Sequence, residues 1–192
     1  KKSNMAKANT IESIAYAINA SRKEGTPSAV YYPTTKEEIQ KIVRESTIDI
    51  VPRGSGTSLV GGSGAQNSIV IEMRGMNKIA QFNAAKQTIM AEAGVTIKEL
   101  NEKLKQIAME FPVCFNEQST IGSMIATNTV GEKSMRYGMM KEWIVEIEFV
   151  NGNGELVKLG RADLSEVCGM EGITGIITQA RLKVIKQKSE IR

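Results

Sequence analysis

Pro52-Arg53-Gly54-Ser55-Gly56-Thr57-Ser58-Leu59-Val60-Gly61-Gly62 is the densest signal in the chain. It follows Ile48 to Val51, a short apolar run that reads as a buried-type strand. Glycines let the backbone take positive φ and approach a neighbour closely, and consecutive N–H groups form an anion-binding nest. Ser55, Thr57 and Ser58 add hydroxyl donors, so a diphosphate is the natural guest. The stretch is not a Walker A loop, because Gly62 sits where the lysine must be. Nor is it a Rossmann fingerprint, since Leu59 takes the third glycine position and no helix is expected after it. A flexible surface loop fits the same residues about equally well.

Working outward toward the N-terminus, Ala29 to Tyr32 reads as a strand. A helix begins after Pro33-Thr34, with Thr35 and Glu38 as a capping box and Ile39, Ile42 and Val43 as its buried stripe. With the strand at 48–51 this makes a β-α-β unit with a parallel pair and a right-handed crossover. Before it, Ile11, Ile14, Ala15 and Ile18 share one helical face, ended by Gly25-Thr26-Pro27.

Toward the C-terminus, strands are expected at Ser68–Glu72 and Thr88–Glu92. The turn Gly94-Val95 follows, then a helix capped by Thr96 and Glu99 with Leu100, Leu104 and Ile107 inward. Trp143 to Val150 and Leu156 to Leu159 form a hairpin about Asn151-Gly152-Asn153-Gly154. A last strand follows Gly175, with Ala180, Leu182 and Val184 on one face and Arg181 and Lys183 on the other. The fold class is therefore α+β in two lobes: residues 1–65 with the glycine loop, and a strand-richer lobe over 66–192, together a single domain spanning 1–192.

Two further clusters punctuate that order. Thr120-Ile121-Gly122-Ser123-Met124-Ile125-Ala126-Thr127-Asn128 is rich in small residues, which suit a backbone pressed against something flat or tight helix packing. Glu171-Gly172-Ile173-Thr174-Gly175-Ile176-Ile177 brackets a turn before a hydrophobic strand, and an ordinary turn explains it equally well.

Composition narrows the chemistry. The 192 residues contain no histidine, the only side chain whose ordinary pKa lies near neutrality. A Ser-His-Asp triad, a Cys-His pair and a histidine-ligated zinc are excluded within this chain. A hydrophobic fraction of 41% argues against disorder. No apolar run approaches the roughly 20 residues of a membrane-spanning helix. Cys114 and Cys168 stand too far apart for a C-x-x-C motif and read as free thiols of a reducing cytosol, with a single disulfide as the lesser alternative. The net charge of +4 comes from the ends: residues 1–24 carry five basic and two acidic side chains, residues 181–192 five and one, and the middle is about −3. That distribution disfavours a nucleic-acid reader, which needs basic residues gathered on one face. No signal peptide is expected, and the absence of Met at residue 1 fits a trimmed or partial chain.

The order of the motifs carries more than any one of them. A glycine loop after the second strand is followed by Gly-Val-Thr before a capped helix. Then come T-I-G-S-x-x-A-T-N, Arg136-Tyr137-Gly138 and E-G-x-x-G-I-I-T. This succession resembles the FAD-binding domain of the vanillyl-alcohol oxidase / p-cresol methylhydroxylase flavoproteins, nearest the branch of the glycolate oxidase flavin subunit and D-lactate dehydrogenase. The resemblance covers about residues 29–184.

The resemblance implies FAD as cofactor. Pro52, Arg53, Gly54, Ser55, Gly56, Thr57, Ser58 and Leu59 would wrap its diphosphate. Gly94 would border the cofactor. Gln118, Ser119, Thr120, Gly122 and Ser123 would run beside the isoalloxazine and ribityl chain, with Ala126, Thr127 and Asn128 nearby. Tyr137 and Gly138 match a turn near the flavin. Glu171, Gly172, Gly175, Ile176 and Ile177 match the segment that holds the adenosine half. It also implies oxidation of a 2-hydroxy acid by hydride transfer to the flavin once a cap domain or partner subunit supplies the substrate site, with an iron–sulfur subunit as a further partner. The alternative is a non-catalytic FAD-binding or electron-relay subunit. Some relatives tether FAD to histidine, which is unavailable here, so binding would be non-covalent. The stretch between Gly160 and Glu171 is shorter than the usual spacing. The resemblance also implies a cap domain carrying the substrate site beyond the last strand of these residues, and no catalytic residue is assigned within them.

Overall fold

A computed structural model of the chain describes residues 27–56, 67–80 and 82–187. The helix expected around Ile11 to Ile18 lies outside those residues, as do Thr57, Ser58 and Leu59.

The first sheet contains three parallel strands, β1 (Ala29–Tyr31), β2 (Ile50–Arg53) and β3 (Ile69–Glu72), in the order β1-β3-β2. Ile69 lies opposite both Ala29 and Ile50. The expected direct pairing of the first two strands is thus corrected: β3 separates them. Its burial explains why, since Val70 and Ile71 are fully buried whereas Ile50 and Val51 are half-buried. A central strand is covered on both faces and reads as a continuous apolar run. The expected lobe division at residue 65/66 consequently passes through this sheet, between β2 and the strand that pairs with it. The expected burial of residues 48–51 is also corrected, because Ile48 lies before the edge strand and is exposed.

Between β1 and β2 runs α1 (Lys36–Glu45), which buries Ile39 and Ile42. Thr35 caps it by accepting from the Glu38 N–H at 3.3 Å. The reciprocal bond is shifted by one residue, since the Glu38 carboxylate accepts from the Thr34 N–H at 2.8 Å. At α2 (Ile97–Lys105) the box between Thr96 and Glu99 is complete. Leu100 and Leu104 of α2 are fully buried, but Ile107 lies past the helix end and is exposed, contrary to expectation.

The second sheet is antiparallel throughout, with β4 (Thr88–Glu92), β6 (Ile144–Val150), β7 (Leu156–Gly160) and β8 (Ile176–Lys183) in the order β4-β8-β6-β7. In β8 the alternation is as expected: Ala180, Leu182 and the following Val184 are buried, and Arg181 and Lys183 half-exposed. The β6–β7 hairpin closes on Asn151, whose carbonyl accepts from Gly154 and whose side chain accepts from Asn153 and Glu155. β5 (Met109–Glu110) and β9 (Ile185–Lys186) form a separate antiparallel pair, and the short helices α3 (Ile121–Ala126) and α4 (Ser134–Tyr137) lie between β5 and β6.

One hydrophobic core runs through both sheets, from Ile39, Ile42 and Ile71 to Ile147, Phe149 and Ala180. Polar contacts reinforce the junction. Gln40 and Arg44 of α1 both donate to the Gly154 carbonyl at 2.9 Å. Lys36 pairs at 3.3 Å with Glu148, a buried β6 carboxylate that also accepts from Gln179. Such a pair fixes geometry more than it adds net stability.

Candidate functional site

β2 delivers Pro52 and Arg53 to its C-terminal end, where Gly54, Ser55 and Gly56 turn the chain. Gly56 has φ of +70°, a conformation that L side chains rarely adopt. A Cβ there would lie 2.6 Å from Arg53 Nη2, so the guanidinium rests against the turn. Arg53 itself is buried. Ser55 Oγ is shielded from solvent and has no hydrogen-bond partner among the described residues. A buried hydroxyl without a partner is costly, and a ligand acceptor is one way to satisfy it.

Opposite the turn stands α3. The Thr120 side chain caps it by accepting from the Ser123 N–H at 3.4 Å. The remaining first-turn donors are also consumed by protein, Ile121 N–H going to Val95 O and Gly122 N–H to Ala93 O, both at 2.8 Å. Ser119 accepts from Ile97 N–H and Lys98 N–H bonds Glu117, so the 117–119 segment is stitched to the start of α2. Gln118 is held by the Asn116 side chain. α3 therefore presents small side chains rather than free amides.

Glycine contacts join the clusters. A side chain at Gly54 would strike the Thr120 hydroxyl, and one at Gly94 would strike the Met73 carbonyl. A Cβ on Gly122 would sit 2.8 Å from that of Ala93, and one on Gly172 would sit 3.2 Å from Pro52 Cγ. A Cβ on Gly175 would meet the Val150 carbonyl at 2.5 Å. The loop ahead of β8 is tied to α3 by Gly169 N–H to Ile125 O at 3.1 Å and Glu171 N–H to Ala126 O at 2.8 Å. Ile176 and Ile177 are buried core residues at the start of β8. The four clusters separated in sequence thus converge around the end of β2. At 54, 94, 122 and 172 other protein already lies where a side chain would go, and at Gly122 this is the tight packing that the sequence left open beside ligand approach.

The R-Y-G segment is more peripheral. Tyr137 ends α4 and meets Trp143 edge-on at 6.0 Å, while Trp143 Nε1 donates to the Tyr137 carbonyl at 2.6 Å. Gly138 has φ of +71° and packs against the Glu142 carboxylate. Thr127 bonds Thr129 and the Ser123 carbonyl. Asn128 is bound to Lys141, Met139 and Cys168.

Two features escaped sequence reasoning. Thr174 Oγ1, in the loop before β8, is another shielded hydroxyl without a partner among the described residues, as are those of Ser68 and Thr88 at the starts of strands. Ala93 is the seat of Gly122; its small size beside Gly94 was the available signal. Cys114 and Cys168 are both free. Burial and the nearby Glu117 and Glu132 push the Cys114 thiol up, and burial pushes that of Cys168 up to about 11.

A three-stranded parallel sheet joined to a larger antiparallel one, with glycine turns gathered at their junction, defines a nucleotide-cofactor-binding module. More narrowly, the chain belongs to the FAD binding domain family, which matches residues 27–160. It is 32% identical over 173 residues to a D-2-hydroxyglutarate dehydrogenase of Xanthomonas citri pv. viticola, covering 82% of this chain and 37% of that one. It is 28% identical over 188 residues to the glycolate oxidase subunit GlcD of Bacillus subtilis, covering 90% of this chain and 40% of the other. Among solved structures, Physcomitrella patens BBE-like 1 superposes with a TM-score of 0.85 at 25% identity, covering 96% of this chain and 43% of that one. The chain spans about two fifths of the length of these relatives. No helix among the described residues is long and apolar enough to cross a membrane.

Proposed function

We propose that this chain binds FAD as the flavin module of an oxidoreductase acting on a small 2-hydroxy acid of the D-lactate, glycolate or D-2-hydroxyglutarate type. The observation that carries the reading is the junction itself: the Gly54–Gly56 turn, with the buried Arg53 beside it and the unpartnered Ser55 hydroxyl, seated on Thr120. These residues fit a diphosphate. Arg53 balances its charge, Ser55 supplies a hydroxyl donor, and Thr57, Ser58 and Leu59 continue the loop. Gly94, Ser119, Thr120, Gly122 and Ser123 form the wall beside the rest of the cofactor. Glu171, Gly172 and Gly175 bound the adenosine side, with Ile176 and Ile177 anchoring that loop in the core.

FAD, when bound, supplies a two-electron acceptor. The chain's residues bind and orient it and exclude water. The absence of histidine from these residues supports non-covalent attachment. The substrate site and its base belong to a cap domain or partner subunit, and an iron–sulfur subunit is the partner class suited to take the electrons. The two free thiols support a reducing, cytoplasmic compartment.

The test is to add FAD to the purified chain, remove the excess and record the visible spectrum, then add each of the three hydroxy acids with and without a relative's missing portion in trans. Retained yellow colour that bleaches with a hydroxy acid supports the full reading. Colour that no hydroxy acid bleaches favours an FAD-binding or electron-relay subunit. A colourless protein refutes both.

A further inference from the structure

Asn128 ends the small-residue cluster and has a backbone φ of +46°, in the left-handed region that asparagine tolerates better than most residues. Its side chain is committed to protein on three sides. Oδ1 accepts from the Lys141 N–H at 3.0 Å and from the Cys168 thiol at 3.5 Å, and Nδ2 donates to Met139 Sδ at 3.3 Å. Its N–H returns to the Ile125 carbonyl at 3.1 Å. Of the segments it touches, residues 168–171 belong to the loop ahead of β8 and residues 139–141 follow the more peripheral R-Y-G turn. Residues 139–141 also bond back through Met140 N–H to Thr129 O, and residues 168–171 bond to Ile125 and Ala126. Burial keeps the Cys168 thiol protonated, so it remains a donor across the neutral range.

We propose that Asn128 is a positioning residue, the clamp that fixes the 139–141 segment and the 168–171 loop against the end of α3, and not a contact of the cofactor. The inference rests on the FAD reading above for its effect on binding, but the clamp exists without flavin. A left-handed residue at a helix end is ordinarily glycine, which would satisfy the backbone and leave the two loops with their backbone bonds alone. Asparagine meets the backbone requirement and adds a two-way acceptor that no other side chain of this segment provides.

The experiment uses the whole chain in a Cys114→Ser background, so that Cys168 is the one remaining thiol. Asn128→Gly keeps the φ and removes the clamp. Asn128→Asp keeps the acceptor oxygen and the tolerance of positive φ. Without FAD, Asn128→Gly should raise the rate of Cys168 reaction with dithiobis-nitrobenzoate by about tenfold or more, the loss of roughly one charge-free hydrogen-bond pair. With FAD, it should weaken binding by a similar factor and alter the visible circular dichroism of the bound flavin, with far-ultraviolet dichroism unchanged. Asn128→Asp should return both quantities to within about threefold of the background. A Cys168 rate that changes less than twofold in Asn128→Gly overturns the clamp. Asn128→Asp that protects Cys168 yet binds FAD as poorly as Asn128→Gly overturns it too, because the amide itself would then touch the cofactor. If the background chain takes up no FAD, the function proposed above fails, and the thiol rates alone decide for or against the clamp.

Discussion

The turn at 53–56 and the segment 119–126 look alike in sequence, each a run of glycine and hydroxyl residues, yet they solve different problems. In the second, every first-turn amide of α3 is paired and Gly122 is demanded by the methyl of Ala93. In the first, Gly56 is demanded by its own backbone, and the Ser55 hydroxyl is left without a partner. One segment has its polar groups paired within the protein; the other leaves a shielded hydroxyl without a partner among the described residues. Small residues are therefore ambiguous until it is known what presses against them, and an unsatisfied hydroxyl carries weight only beside a turn built for close approach, since Ser68 and Thr88 at the starts of strands share it.

The largest expected effect lies on the packing side of this contrast. A Cβ on Gly94 would run into the Met73 carbonyl and lie 2.8 Å from Arg74 Cα, backbone atoms that cannot step aside. Gly94→Ala should cost more than about 3 kcal/mol in urea denaturation. A loss under 1 kcal/mol would show that the 93–95 turn is not a packing seat. Gly56→Val should be intermediate. The left-handed φ costs about 1–3 kcal/mol for a β-branched residue, and displacing Arg53 should abolish FAD uptake while the fold survives. Unchanged flavin content would remove the turn from the site. Ser55→Ala should be smallest and the sharpest. Deleting a buried, unpartnered hydroxyl should leave apo stability unchanged or raise it by up to about 1 kcal/mol, while FAD affinity falls several-fold. Parallel losses in both would mean that Ser55 is structural, and the contrast between the two segments would collapse.

Much of the fold was legible because local signals are periodic or punctuated. The Thr96–Glu99 capping box, the Asn151–Gly154 hairpin and the alternation along β8 each depend on side chains a few residues apart. Pairing across long separations was not legible in the same way. Nothing local to Ser68–Glu72 says that it enters between two strands ending at residues 31 and 53. The burial of Val70 and Ile71 on both faces is the physical mark of that central place, and it exists only once the sheet has formed. Ile107 shows the same limit: its spacing matches the buried stripe, but α2 ends at Lys105 and the side chain turns outward.

At the site, the sequence by itself determined the cofactor class, because an ordered succession of glycine motifs is a property of the chain. It also determined that no histidine of these residues holds the flavin. Only the tertiary structure decided what each residue does there. A side chain at Gly54, Gly94, Gly122 or Gly172 would meet other protein, the Ser55 and Thr174 hydroxyls have no partner among the described residues, and the Asn128 amide bonds two loops. The reason is that a residue type states which bonds are available, whereas the role depends on which partners the fold has already supplied.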